Sequence, residues 1–174
     1  MRYLIAADLH GSALWTSRLC AAFEKNAADR LILLGDLLYH GPRNDLPDEY
    51  APKKVIPMLN ALRDKIIAVR GNCDTEVDQM VLDFPVMSDS AYICDSGQRV
   101  FATHGHIFHP DHLPPLCGGD IFLYGHTHIP DDSFREIPGG RVRCVNPGSV
   151  SIPKNGSPHR CIMWENGVFS EIIL

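Results

Sequence analysis

Hydrophobic and polar positions alternate in blocks along this 174-residue chain. Five short apolar runs each end in a polar cluster. Leu4-Ile5-Ala6-Ala7 runs into Asp8-Leu9-His10, and Leu31-Ile32-Leu33-Leu34 into Gly35-Asp36. Ile66-Ile67-Ala68-Val69 leads to Gly71-Asn72, Val100-Phe101-Ala102-Thr103 to His104-Gly105-His106, and Ile121-Phe122-Leu123-Tyr124 to Gly125-His126-Thr127-His128. Continuous apolar runs of this length are the pattern of strands buried on both faces. Polar residues just beyond several strand ends can converge on one crevice.

The first half predicts strand, helix, strand, helix, strand. Residues 3–7, 31–35 and 66–70 are the strands. Residues 13–26 form a helix with Trp15, Leu19, Ala22 and Phe23 on one face and Ser12 as N-cap. Residues 37–51 carry Gly41-Pro42, Asn44-Asp45 and Pro47-Asp48 and predict a long loop beside Asp36. A second helix over 53–63 places Val55, Met58, Leu59 and Leu62 together, with Pro57 tolerable only in the first turn. Residues 75–82 predict a short helix at best, with Asp74 as its N-cap in preference to a residue that polarises or orients site groups. The second half predicts hairpins. Tyr92–Asp95 and Arg99–Thr103 flank Ser96-Gly97-Gln98, Ser133–Ile137 and Arg141–Val145 flank Pro138-Gly139-Gly140, and Arg160–Glu165 and Val168–Ile173 flank Asn166-Gly167. Residues 107–119 predict a second surface loop, and 121–124 another buried strand. Early βαβ units followed by hairpins imply an α/β fold of two packed sheets with helices outside, in a single domain over 1–174.

Composition narrows the partners. The charge of −5 and the absence of any Lys/Arg run argue against nucleic acid, and no apolar stretch approaches a membrane span. None of the six cysteines sits in a C-x-x-C pair, and Met1-Arg2-Tyr3-Leu4 lacks a signal-peptide layout. Reduced, mostly buried thiols and a cytoplasmic address are expected. The apolar second half offers a face for a homo-oligomer.

A lone Asp or His after a strand is usually a cap or a turn former. Five such clusters, each after an apolar run, are not explained by independent turns. Asp8 and His10, and His126 and His128, are spaced two apart, so each pair shares a side of an extended chain. Asp36 has two oxygens that can bridge cations, Asn72 a neutral carbonyl oxygen and His104 a further imidazole. Glycines 35, 71, 105 and 125 allow sharp backbone turns toward the site. The seven together read as the ligand set of a two-metal hydrolase.

The order Asp-x-His, Gly-Asp, Gly-Asn, His and Gly-His-x-His resembles the calcineurin-like metallophosphoesterases. Gly35-Asp36-Leu37-Leu38-Tyr39-His40-Gly41-Pro42-Arg43-Asn44, Gly71-Asn72-Cys73-Asp74 and Asn146-Pro147-Gly148-Ser149 are similar to the YfcE-type bacterial phosphodiesterases within them. The resemblance spans essentially the whole chain and implies a four-layer α/β/β/α sandwich with a dinuclear site at one edge. It implies Asp8, His10 and His128 for one metal, Asn72, His104 and His126 for the other, and Asp36 as bridge. Four imidazoles with carboxylate and amide oxygens suit Mn, Fe, Co, Ni or Zn, and the resemblance points to manganese. It further implies hydrolysis of phosphodiesters in a small substrate by a water or hydroxide bridging the metals. Asn72, His104, Cys73 and His106 are the candidate catalytic side chains, and Arg43 and Asn44 the candidate substrate contacts. His40, His109, His112 and His159 are expected to be surface or loop residues.

Two positions depart from the family. Many members carry His after Gly-Asn, where Cys73 stands, and Asp three residues after the Gly-Asp aspartate, where Tyr39 stands. Loss of this leaving-group acid leaves a non-catalytic scaffold of the same fold as the competing reading. The complete set of seven ligands favours catalysis.

Overall fold

The computed structural model describes residues 1–174. Strand β1 (Arg2–Ala6) is followed by helix α1 (Ala13–Lys25), β2 (Arg30–Leu33), α2 (Pro52–Asn60), a 3-10 turn at Arg63–Lys65 and β3 (Ile66–Ala68). A one-turn helix α3 (Glu76–Gln79) precedes seven strands: β4 (Ser90–Asp95), β5 (Gln98–Thr103), β6 (Ile121–Leu123), β7 (Asp131–Ile137), β8 (Gly140–Asn146), β9 (Arg160–Glu165) and β10 (Val168–Ile173). No helix is long and apolar enough to cross a membrane.

These strands make two mixed sheets, ordered β10-β9-β1-β2-β3 and β4-β5-β6-β8-β7. Both mix parallel and antiparallel pairs: β1-β2-β3 run parallel in the first, with antiparallel pairing through β9 and β10 on one side only, and β5-β6-β8 run parallel in the second between antiparallel β4 and β7. The continuity of the apolar runs has a physical cause. Tyr3, Ile5, Ala7, Ile32 and Leu34 of the first sheet meet Val100, Ala102, Ile121, Leu123 and Val145 of the second in a shared core. Their sequence neighbours Leu4, Ala6, Leu31 and Leu33 face the other way and pack under Trp15, Leu19 and Phe23 of α1 and Val55 and Leu59 of α2. Burial on both faces is why these strands are apolar throughout rather than alternating.

The expected two-sheet sandwich with flanking helices is therefore present. Its outermost layer over the second sheet is a loop. Phe101, Phe122, Tyr124, Val142 and Cys144 are covered by Phe108, Leu113 and Leu116 of the β5–β6 connection. The prolines and glycines that predicted a loop at 107–119 did not reveal that its apolar residues close a core.

Local signals behave as their chemistry dictates. Ser12 caps α1, its hydroxyl oxygen accepting from the Trp15 N–H. Asn166 and Gly167 both adopt positive φ, as a two-residue hairpin turn requires. Helix α2 begins at Pro52 and ends at Asn60, so Pro57 lies beyond the first turn. Two other expectations are corrected. Thr75, not Asp74, caps α3, through a capping box with Asp78. His159 lies in a loop, as expected, and is half-buried there: its ring stacks on Trp15 at 3.5 Å and its Nδ1 meets the Val150 carbonyl at 2.8 Å. All six cysteines are free, but Cys94 and Cys117 are exposed, because they lie on an edge strand and in the covering loop.

Candidate metal centre

In each sheet the parallel central strands end at one edge, so the polar clusters after them meet where the two edges adjoin. The structure brings all seven predicted ligands to this crevice. Asp8, His10, Asp36, His104 and His128 are buried, while His126 is half-buried and Asn72 exposed. Asp8, His10, Asp36, His126 and His128 all hold positive φ, from +46° to +67°. L-residues seldom adopt that region, and its concentration here marks a backbone bent to aim side chains.

Backbone bonds lock the turns together. The N–H of Asp8 donates to Gly35 O and that of His10 to Asp36 O. Gly35 (φ +90°) and Gly71 pack backbone to backbone, and a Cβ on Gly71 would fall on the nitrogen and carboxylate of Asp36. Gly71 is thus needed for close approach rather than for the turn predicted of it.

Hydrogen bonds fix the imidazoles. His10 Nδ1 lies 2.8 Å from Tyr39 O, His104 Nδ1 2.6 Å from Leu34 O and His128 Nδ1 2.7 Å from Ile152 O. A carbonyl only accepts, so each Nδ1 carries a proton, and each ring, when neutral, turns a bare Nε2 lone pair inward. These lone pairs crowd one another. His10 Nε2 is 3.3 Å from His128 Nε2, and His104 Nε2 is 3.0 Å from Asn72 Oδ1. His126 presents Nδ1, 3.2 Å from His104 Nε2. Asp36 Oδ1 is held by the Cys73 N–H at 2.8 Å, which leaves Oδ2 3.7 Å from His10 Nε2 and 3.5 Å from His104 Nε2. Asp8 Oδ1 is buried with no hydrogen-bond partner and lies 3.5 Å from His128 Nε2. A concentration of acceptors without donors fits cations: Asp8, His10 and His128 can grip one, Asn72, His104 and His126 another, with Asp36 between.

A family model for the calcineurin-like phosphoesterase superfamily domain matches residues 1–166. The chain belongs to this superfamily. It is 48% identical to phosphodiesterase YfcE of Escherichia coli strain K12 over 174 residues, which is 100% of this chain and 92% of that relative. A solved structure described as Yfce, a phosphoesterase from E. coli, superposes with a TM-score of 0.93 over 98% of this chain and 91% of that one, at 48% identity. A Vps29 structure from Chaetomium thermophilum, at 14% identity and a TM-score of 0.59 over 99% of this chain and 95% of that one, shares the fold alone. As a calcineurin-like phosphoesterase the chain is a hydrolase of phosphoesters, the enzyme class expected from the clusters.

The electrostatics of this phosphoesterase site express its appetite for positive charge. Burial alone would lower the pKa of His104, but Asp36 and Asp8 override it and raise it to about 9. Without a metal, His104 takes up a proton in its place. Burial likewise tends to raise Asp36, and the His104 hydrogen bond pulls it below the usual carboxylate range. Burial pushes Asp8 up to about 7. Burial, then the charge on His104, holds His126 down at about 4, and burial chiefly does the same to His128.

The remaining candidates sort by position. Arg43 and Asn44 line the mouth of a cleft of about 420 Å³ that also exposes Asp36, Asn72, His126 and His128. Cys73 is buried behind Asn72, whose Nδ2 donates to its sulfur at 3.2 Å, and burial pushes its thiol up to about 12. His106 lies tilted to its neighbours, 5.3 Å from His104 and 6.2 Å from His126 by ring centroids, but does not line the cleft.

Sequence reasoning misplaced or missed several supports. Asp74 accepts the N–H groups of Asp36 and Leu37, each at 2.8 Å, and of Gly71 at 2.7 Å, so it ties the second and third clusters together. Its sequence position before α3 favoured a cap over a role in orienting site groups. Ser149 and Ser151 hydroxyls donate to Asp8 O, and Asn146 Nδ2 donates to Gly125 O. The Asn146-Pro147-Gly148-Ser149 turn thus supports the site. Lys154 and Thr127 also line the cleft, and no local signal marks either.

Proposed function

We propose that this chain hydrolyses phosphodiester bonds in a small substrate by in-line attack of a water or hydroxide shared between two divalent cations, which would also offset charge on the phosphoryl oxygens. The observation that carries the reading is the meeting of lone pairs at the cleft floor. His10 and His128 point unprotonated nitrogens at each other across 3.3 Å, with both Nδ1 protons already given to carbonyls. Nothing but a cation or a proton makes that arrangement favourable.

The chain's own groups would then divide the work. The pinned Asp36 carboxylate serves both cation positions through Oδ2. Asn72 and His104 hold the second position at the exposed side, where an ester can approach. Arg43 and Asn44 at the mouth steady phosphoryl or leaving-group oxygens. Cys73 is neither nucleophile nor effective acid, because a thiol pushed to about 12 is neutral and weakly donating. Substrates with activated leaving groups are therefore favoured.

Two carboxylates, an amide oxygen and four imidazoles accept Mn, Fe, Co, Ni or Zn, and manganese is our assignment. Mg, which prefers oxygen ligands and its own waters, fits this nitrogen-rich set less well. Six free thiols suit the reducing cytoplasm, where we place the reaction. A scaffold role without catalysis finds support only in the missing acid, whereas the ligand geometry is complete.

The test is an assay of metal-depleted protein with Mn, Zn, Ni or Mg against phosphate mono- and diesters, including an activated aryl diester. Hydrolysis of the aryl diester, restored best by Mn, is expected. Inactivity on every ester at full metal occupancy would contradict the proposal.

A further inference from the structure

The cleft over the candidate metal centre has an unusual lining for a small-molecule site: none of its residues is hydrophobic. Two of them are cations, Arg43 and Lys154. Arg43 comes from the loop after β2, Lys154 from the loop before β9. Lys154 acts electrostatically on Asp8 and His128, and Arg43 on His126, so they flank different halves of the site. Neither pairs with a carboxylate, whereas seven other arginines of the chain do. Their backbones are anchored. The Lys154 N–H donates to His128 O at 3.1 Å, and the Ser157 hydroxyl donates to Lys154 O at 2.7 Å. On the other wall Asn44 Nδ2 donates to His40 O at 2.8 Å, one residue from Arg43.

Two unpaired cations on pinned loops, facing a cavity already designed to carry positive charge, repel each other and the metals. An occupant with more negative charge than one diester phosphate offsets that repulsion better than a diester alone. A diester phosphate carries a single charge, which the cation pair on the cleft floor would engage. The absence of apolar lining offers nothing to an uncharged aryl or acyl substituent. We propose that Arg43 and Lys154 form an anion clamp beside the scissile group, so that the substrate is a small phosphodiester bearing at least one further anionic group, such as a second phosphate. This rests on the phosphodiesterase reading and adds the charge class of the substrate to it.

The experiment uses the full chain loaded with Mn. Binding of thymidine 5′-phosphate and thymidine 3′,5′-bisphosphate is measured by calorimetry. Turnover is measured on the p-nitrophenyl esters of the 5′-phosphate of each, which share scissile bond and leaving group. The bisphosphate is expected to bind about tenfold tighter, a gap that shrinks between about 0.05 M and about 0.5 M salt because exposed charges are screened. R43Q/K154Q should abolish most of the gap, and the charge-keeping R43K/K154R should retain it. Equal affinity in the wild type, or a gap that survives in R43Q/K154Q, overturns the clamp. Failure to hydrolyse either ester while the binding gap stands refutes the phosphodiesterase reading alone and supports the clamp.

Discussion

Asp74 shows how one side chain can decide the geometry of a site it does not enter. Its carboxylate accepts three backbone N–H groups, from Asp36, Leu37 and Gly71. An amide in its place has one accepting oxygen and sets an NH2 group against donors. Asp74→Asn should cost roughly 2–4 kcal/mol in urea unfolding, since buried donors lose their acceptor. It should also weaken metal binding, because the Asp36 turn loosens; unchanged stability and metal content would count against this role. Cys73 poses the opposite case, a residue in place but chemically muted. Cys73→His should raise turnover of diesters with poor leaving groups more than of activated aryl esters, with the ratio of the two rates as the measurement. Unchanged or lower turnover in a fully metallated variant would show that the missing imidazole does not limit the reaction. The ligands were legible as residues because their types and two-residue spacings carry their chemistry in the sequence. Asp74 was not, because a residue before a short helix signals a cap equally well, and only the packing of Gly71 on Gly35 brings three donors to it.

At the level of elements, legibility followed burial. Strands β1, β2, β5 and β6 read clearly because both faces of their apolar runs are covered. The hairpin of β9 and β10 read to the residue because Asn166-Gly167 supplies two positive φ angles. Helix boundaries read less well: α2 starts one residue early and stops three residues short of the periodic apolar pattern, with Leu62 lying outside the helix. The start of α1 depends on Ser12, which both caps the helix and donates its hydroxyl to Asp48 O at 2.5 Å, fastening the 37–51 loop. Ser12→Ala should therefore lower stability by about 1–2 kcal/mol, the upper range for an N-cap. Proteolysis within 37–51 should accelerate if the fastening matters, and an unaltered cleavage rate would show that the loop is held by other contacts.

Across the whole molecule, folding and metal binding share the same groups. In the metal-free protein His104 titrates near 9, above its ordinary value of 6.5. A raised folded pKa contributes stability below pH 6.5 that is lost as pH climbs toward 9. Metal-free protein should accordingly lose thermal stability over that window, while Mn, which needs the unprotonated ring, should bind better and reverse the trend. Parallel declines with and without metal would mean that His104 is not a ligand. The two-sheet architecture was legible from the order of elements, because βαβ units followed by hairpins leave few packing solutions. The loop layer over Phe122 and the arrival of Lys154 at the cleft were not. Both depend on where a connection returns after crossing a sheet, which no local pattern encodes. The number of cations the crevice holds is the most direct test of the two-metal centre, read by elemental analysis of Mn-equilibrated protein after removal of free metal. About two ions per chain are predicted, with both lost in Asp36→Asn; a wild-type chain retaining one ion or none would contradict it.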